Sequence, residues 1–431
     1  MTEKLNVGID FGTSNSSVAS TNEGRTTIFN TRGKNKSQPS SIYLRADGYT
    51  STGFDALEDF ARKDEEETFH FIPSIKPALP LSYYDGISLR SKSKGETGRP
   101  NVHFFGVEEL ASIIISDLKQ KAENQSGNES DSVVLGRPVF FSDNKEEDRL
   151  AQERLENAAR LAGFNKINFV MEPIAAALYY EKTRKNTQAK NVFIFDFGGG
   201  TLDTCILELD KTKKAERTLE SKVLSSHGIV LGGTNLDKDV FSKKYMPYFG
   251  QRALWSEKGL SMPTHIYYKL PEWHLQEIEY RNDTLHFLRQ VANGSTDPDA
   301  IKRLHTLIED QQVFALLQSV ERGKIGLTPS GKSRIEFAHK NIAINDTFTL
   351  REFESLISSR RSEINECIDV CLEKAGMKGE QIDAVLKVGG SSNNAFINGL
   401  LSKKFNRTIE SDDVFTSVVA GLSIAAEEVF N

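Results

Sequence analysis

The stretch Val192–Leu207, VFIFDFGGGTLDTCIL, is the part of this chain whose residue types most clearly point to chemistry. Two carboxylates, Asp196 and Asp203, flank three consecutive glycines and Thr201. Glycines without Cβ atoms let backbone N–H groups come close to an anion, as a phosphate cradle requires. Carboxylates repel phosphate, but they can hold a divalent cation that bridges to it, through water in the case of Mg²⁺. A second stretch, residues 7–19 (VGIDFGTSNSSVA), repeats the Asp-Phe-Gly core with Asp10, Gly12, Thr13 and Ser14. The alternative for one such turn alone is a tight glycine-rich hairpin with no ligand. Two of them, each heading a half-chain, suggest a duplicated domain with two phosphate loops facing one cleft.

These residues need strands to present them. Val192–Phe195 is a β-forming apolar run, and alternation resumes at Cys205–Leu207, so the glycines read as a hairpin turn between two strands. Residues 5–30 give two or three strands around the first loop, and residues 31–41 a polar loop. FIPSIKPALP, residues 71–80, predicts an extended segment carrying Lys76 between prolines. SKSKGETGRP, residues 91–100, reads as a flexible surface loop. Helical spacing over 106–121 is broken by QSGNESD at 125–131. A buried strand ends at Pro138, and a charged helix from about Asn144 to Ala162 stops at Gly163. After a short strand at 167–170, Glu172-Pro173 opens another helix, with Pro at an early helical position.

In the second half, VLGGTNLDKDV (230–240) sets a Gly pair before a helix. Residues 241–319 are helix-rich, with Trp255 and Trp273 read as core because no basic stripe accompanies them. FALLQSVERGKIG (314–326) reads as a helix into a turn, 333–350 as strands and 351–375 as one helix. AVLKVGGSS (384–392) is a strand and a Gly-Gly turn, and the last segment has an apolar helical face.

Bulk properties narrow the function classes. A length of 431 residues calls for two or more domains. A net charge of −6 gives no global basic field for nucleic acid. No apolar run approaches the roughly 18 residues of a membrane span, and MTEKLNVGID lacks a signal-peptide core. Three cysteines, Cys205, Cys367 and Cys371, form no even disulfide framework and fit a reducing, cytoplasmic setting, with Cys367 and Cys371 read as buried or partly buried thiols.

With both loops, Lys76, Glu172-Pro173, ERGKIG and KVGGSS in place, the chain resembles the nucleotide-binding domain of the seventy-kilodalton heat-shock (DnaK-type) chaperone family. Within that family it resembles the truncated, YegD-like branch. The motifs are weakly specific singly and highly specific in this order and spacing. The resemblance implies an α/β, actin-like ATPase fold. Two lobes would each hold a ribonuclease H-like mixed sheet flanked by helices, with nucleotide in the central cleft. Lobe I would span 1–187, with subdomain IA at 1–38 and 103–187 and subdomain IB at 39–102. Lobe II would span 188–431, with subdomain IIA at 188–237 and 320–431 and a helical subdomain IIB with an extended insert at 238–319. The boundary falls in the hydrophilic run 183–191.

The resemblance also assigns roles. Gly12, Thr13, Ser14 and Asn15 would wrap the β- and γ-phosphates from one side, and Gly198, Gly199, Gly200 and Thr201 from the other. Asp10 and Asp196 would hold Mg²⁺ through water, with Glu172 holding a water of the metal shell. Lys76 would reach the γ-phosphate, and Asp203 with Thr201 would position the attacking water. Gly232, Gly233 and Thr234 would lie near the phosphates and ribose. Glu321, Lys324 and Thr328 match an adenosine-contacting pattern, and Gly389, Gly390 and Ser391 an adenosine loop. Asn393 stands where the family usually has an adenine-stacking Arg.

The expectation is a chaperone-type protein that binds ATP and ADP with Mg²⁺ and hydrolyses ATP slowly as a nucleotide-gated switch. Its partners would be adenine nucleotide and a protein partner or co-chaperone, with neither nucleic acid nor membrane. The chain stops at Asn431, so peptide capture by the family's usual route is not expected. The alternatives are a small-molecule kinase of the actin-like, sugar-kinase superfamily, a nucleotide-dependent filament protein and a binder without turnover.

Overall fold

The structure, a computed structural model, describes residues 5–62, 68–94, 100–183, 189–209, 223–272, 278–405, 409–411 and 416–431. The contacts divide the chain into two compact units. The first comprises Met1–Gly232, Asn365–Ser392 and Leu401–Asn431, and the second Gly233–Ile364 and Asn393–Leu400. The expected lobe boundary at 187/188 and Trp273 lie outside the described residues.

The first unit holds two sheets of the same design. Strand Asn6–Phe11 pairs antiparallel with Asn15–Asn22, which pairs antiparallel with Arg25–Ile28. On its other side Asn6–Phe11 pairs parallel with Ser132–Arg137, and that strand pairs parallel with Lys166–Met171. The second sheet repeats this order. Asn191–Phe197 pairs antiparallel with Leu202–Glu208, and Leu202–Glu208 with Val223–Ile229. Ala384–Val388 and then Ile409–Ser411 add in parallel on the other side. A short strand, Gln38–Pro39, pairs with Asn15–Asn22 off the main path of the first sheet. The duplication inferred from the two Asp-Phe-Gly stretches is thus present in the strand order.

Central strands buried on both faces read as continuous apolar runs. Phe193, Ile194 and Phe195 are inaccessible to solvent, as are Val7, Ile9 and Phe11. Helices Glu172–Thr183 and Ser417–Phe430 share one apolar cluster with strands of both sheets, including Val134, Ala176, Ile194, Leu386 and Leu422. Ten successive residues of the last helix, Ser417–Ala426, are buried, so it is a core helix on every side rather than an amphipathic one.

Several local expectations change. Lys76 opens a 3-10 turn, Lys76–Ala78, because Pro77 suits an early helical position and the Leu79 amide reaches back to the Lys76 carbonyl. Residues 91–94 belong to strand Gly86–Lys94, paired with Pro100–Gly106. That hairpin is secured by the buried side chains of Ile87, Leu89 and Phe105, and residues 95–99 lie outside the described residues. In the second unit ERGKIG does not turn, since helix Val313–Ser330 continues through it. Gly323 and Gly326 lie so close to Ile335 and Ser333 that they allow the helix to pack on strand Lys332–His339 rather than break. The expected helix at 351–375 is two, Leu350–Leu356 capped by the Thr349 side chain, and Ser358–Lys374. Residues 241–319 are helix-rich but include a small hairpin, Leu254–Trp255 with Leu260–Ser261, where Trp255 stands edge-on to Phe287 at 5.3 Å. No helix among the described residues is long and apolar enough to cross a membrane.

Candidate phosphate and metal site

Both Asp-Phe-Gly stretches are hairpins of one geometry. Asp10 and Asp196 are each the penultimate residue of the first strand, just before the glycine turn. Across the second hairpin Asp196 faces Asp203, and across the first Asp10 faces Ser17. The two turns meet. A Cβ on Gly199 would lie 2.1 Å from Ser14 Oγ, and one on Gly200 would lie 2.5 Å from Thr13 Oγ1. Only residues without side chains permit that approach. Gly232 rests on the same turn, since its Cβ would lie 2.2 Å from the Gly199 carbonyl carbon. Gly389 has a φ of +77°, and its Cβ would come within 2.7 Å of Asp196 Oδ1, so the turn after Ala384–Val388 also closes on Asp196.

The first hairpin is braced by a residue the sequence did not single out. Ser40 donates through Oγ to the Gly12 carbonyl at 2.7 Å and through its amide to the Ser14 carbonyl at 2.9 Å. Asn15 begins the return strand and is exposed. Gly198 donates its amide to the Thr201 carbonyl at 3.1 Å, closing the second turn.

Charge is concentrated beside these turns. Lys76 Nζ donates to Glu172 Oε1 at 2.7 Å, with the Lys76 side chain 6% exposed. Glu172 is the first residue of its helix, directly after strand Lys166–Met171, so Pro173 begins the helix without needing an amide partner. Asp203 is held by the Val139 amide, which donates to Oδ1 at 2.7 Å. The other oxygens of Asp196 and Asp203, Oδ2 in each, are buried without a hydrogen-bond partner.

Four carboxylates here share one ammonium. Burial pushes Asp10 up to about 7, with Glu172 adding repulsion and Lys76 opposing it. Burial also lifts Asp203 to about 7, again reinforced by Glu172, while the Val139 amide works the other way. Asp196 is also raised well above the usual carboxylate range, by burial and then by Glu172, Asp203 and Asp10. For Lys76, burial alone would favour the neutral amine, but Glu172, Asp10 and Asp203 together hold it charged. A buried, unpaired carboxylate oxygen is costly. The cluster therefore has the chemistry of a site completed by a cation. Among the described residues no three His, Cys, Asp or Glu side chains converge to cage a metal by themselves. Mg²⁺ keeps several waters and takes one or two carboxylates, so a donor set of Asp10 and Asp196 fits it.

The remaining expected residues divide between the units. Gly390 and Ser391 lie in a 3-10 turn, Gly390–Ser392, which the buried Ser392 closes by donating its Oγ to the Gly389 carbonyl at 2.7 Å. In the second unit Gly233 and Thr234 start helix Gly233–Val240. Lys324 is buried against Asp237 at 2.7 Å and also donates to the Gly233 carbonyl at 3.1 Å. Burial raises Asp237 to about 7, with Lys324 opposing. Glu321 is exposed on the same helix, and Thr328 donates to the Asn393 carbonyl at 3.4 Å. The three cysteines are buried, with Cys371 Sγ 3.2 Å from Ser225 Oγ.

A family model described as Hsp70 protein matches residues 6–247 and 299–426, passing over 248–298. The chain is 26% identical over 425 residues to Chaperone protein DnaK of Mycoplasmopsis pulmonis, a match covering 96% of this chain and 57% of that protein. It is 24% identical over 439 residues to Chaperone protein DnaK of Thermus thermophilus, covering 97% and 60%. The chain thus spans well under two thirds of the length of these relatives. The family match takes in both glycine hairpins, Lys76, Glu172 and the turn at Gly389, and with the duplicated sheet order beneath them this chain belongs to the Hsp70 family and has its actin-like ATPase fold.

Proposed function

We propose that this chain is a chaperone-type ATP-binding protein that hydrolyses ATP slowly with Mg²⁺ and switches between nucleotide states. The observation that carries this reading is the buried Lys76–Glu172 pair standing with two unpartnered aspartate oxygens beside two abutting glycine turns. Phosphoryl transfer to water asks little covalent chemistry of a protein and much positioning and charge neutralisation. The amides of 12–15 and 198–201 would bind the phosphate oxygens. Lys76 would neutralise charge on the terminal phosphate, with Glu172 fixing its ammonium. Asp203, held by Val139, would with Thr201 orient the attacking water, Asp203 through its free oxygen. When bound, Mg²⁺ would add positive charge at the phosphates, held by Asp10 and Asp196 through its waters, with Glu172 reaching one of them.

Family likeness supports Gly232, Gly233, Thr234, Glu321, Lys324, Thr328, Gly389, Gly390 and Ser391 on the nucleoside side, the lobe division at 187/188, and a protein partner or co-chaperone. The test is turnover of ATP by the parent, Lys76→Ala and Asp196→Asn. Losses of about 100-fold or more are expected in both variants, on the scale of removing one transition-state contact. Unchanged turnover in both would overturn the assignments.

A further inference from the structure

Helix Lys145–Leu161 carries none of the residues expected at the site, yet two of its charged side chains reach the loops that present Asp203 and Lys76. Toward Asp203, both oxygens of Asp148 accept from Arg137 Nη2 at 3.0 Å, and Oδ1 also accepts from the Phe141 amide at 2.7 Å. Gln152, one turn along the helix, accepts from Arg137 Nη1. Arg137 also turns back on the chain that follows it, donating from Nε to the Pro138 carbonyl at 3.1 Å and from Nη2 to the Val139 carbonyl at 3.3 Å. Its guanidinium lies 5.3 Å from the centre of the Phe141 ring. The loop is fastened on both sides of the Val139 amide, the group that holds Asp203.

Toward Lys76, the buried Arg154 donates from Nη1 to the carbonyls of Ala78, Leu79 and Leu81 at 3.4, 3.1 and 3.0 Å. Those carbonyls belong to the end of the short turn that Lys76 begins and to the residues just after it. The three carbonyls share the two hydrogens of Nη1, while Nη2 faces Asp85 at 3.9 Å and Nε faces Glu108 at 3.8 Å, a many-sided placement that a lysine ammonium does not reproduce.

We infer that helix Lys145–Leu161 is a positioning element of this site, with Asp148 setting Asp203 through Arg137 and the Pro138–Phe141 loop, and Arg154 setting Lys76 through the 78–81 carbonyls. The inference rests on the reading that the site hydrolyses ATP, and the experiment separates the two. Asp148→Asn and Arg154→Lys are compared with the parent and with Arg149→Ala, an exposed residue of the same helix. Turnover, ATP affinity, melting temperature and amide exchange are read for each. Each positioning variant is expected to lose about ten- to a hundredfold in kcat, the cost of a small misplacement, with ATP affinity unchanged and the melting temperature lowered by no more than a few degrees, the cost of weakening buried hydrogen bonds. Asp148→Asn speeds exchange at Val139 and leaves 78–81 alone, Arg154→Lys does the reverse, and Arg149→Ala changes nothing. Unchanged kcat with unchanged exchange would overturn the inference, as would kcat falling only in step with affinity and melting temperature. A parent that binds ATP without turning it over, but shows this exchange pattern, would sink the hydrolysis reading while supporting the clamp.

Discussion

Asp203 is under two opposing demands. Its Oδ1 is satisfied by the Val139 amide, which favours the charged form, but burial and the nearby Glu172 favour the neutral one and win. Asp203, and Asp10 where burial and Glu172 outweigh Lys76, each titrate near 7 in the folded protein, against about 4 in an unfolded chain. The folded state then binds more protons than the unfolded state between those values. The free energy of unfolding must fall as pH rises through that window and level off above it. The ligand-free protein should therefore melt lower at pH 8 than at pH 5.5. Asp203→Asn keeps an acceptor for Val139 but removes the charge, so it should flatten that slope and melt above the parent at pH 8. Thermal midpoints of both proteins in the two buffers check this, and parallel slopes would contradict it. At this scale the sequence was a good guide wherever chemistry is written locally. Asp10 and Asp196 stand beside their glycines in the chain, and Glu172 stands beside its proline. Ser40, Val139 and Arg154 left no such signal. Val139 is 64 positions from its aspartate and Arg154 is 75 from Leu79, so these bonds exist only once the sheet order is known.

Among the elements, helix Lys145–Leu161 shows how local sequence can specify an element without disclosing its use. Asn144 accepts from the amides of Glu146 and Glu147 at 2.9 and 3.4 Å, and Glu146, Glu147 and Asp148 put negative charge in the first turn, where the helix dipole favours it. Asn144→Ala should cost about 1 kcal/mol of stability, read as a lower urea midpoint. Because Asp148 lies in the turn that this cap closes, the same variant should speed amide exchange at Phe141, and a stability loss with no change at Phe141 would separate the cap from the loop. The start and stop of this helix were legible because Asn144 and Gly163 mark them. The path of helix Val313–Ser330 was not. Two glycines that suggest a turn in isolation serve close packing against Ile335 and Ser333, a tertiary reason that overrides local propensity.

Across the whole molecule, one strand order appears twice, and the glycine turns sit at the same position in each copy. That symmetry explains why a pair of short motifs said so much about the fold: each marks the junction of the first two strands of its sheet. It says less about the second unit, where residues 248–298 fall outside the family match and follow no motif. The central claim is that the two turns grip one triphosphate with its metal. Titration calorimetry tests it most directly, with ATP plus magnesium, ATP plus a chelator, and AMP plus magnesium run against the same protein. The account predicts saturable one-to-one binding with magnesium and ATP, weaker binding without the metal and the weakest with AMP. Equal affinity for all three, or no heat and no thermal shift with any of them, would contradict it.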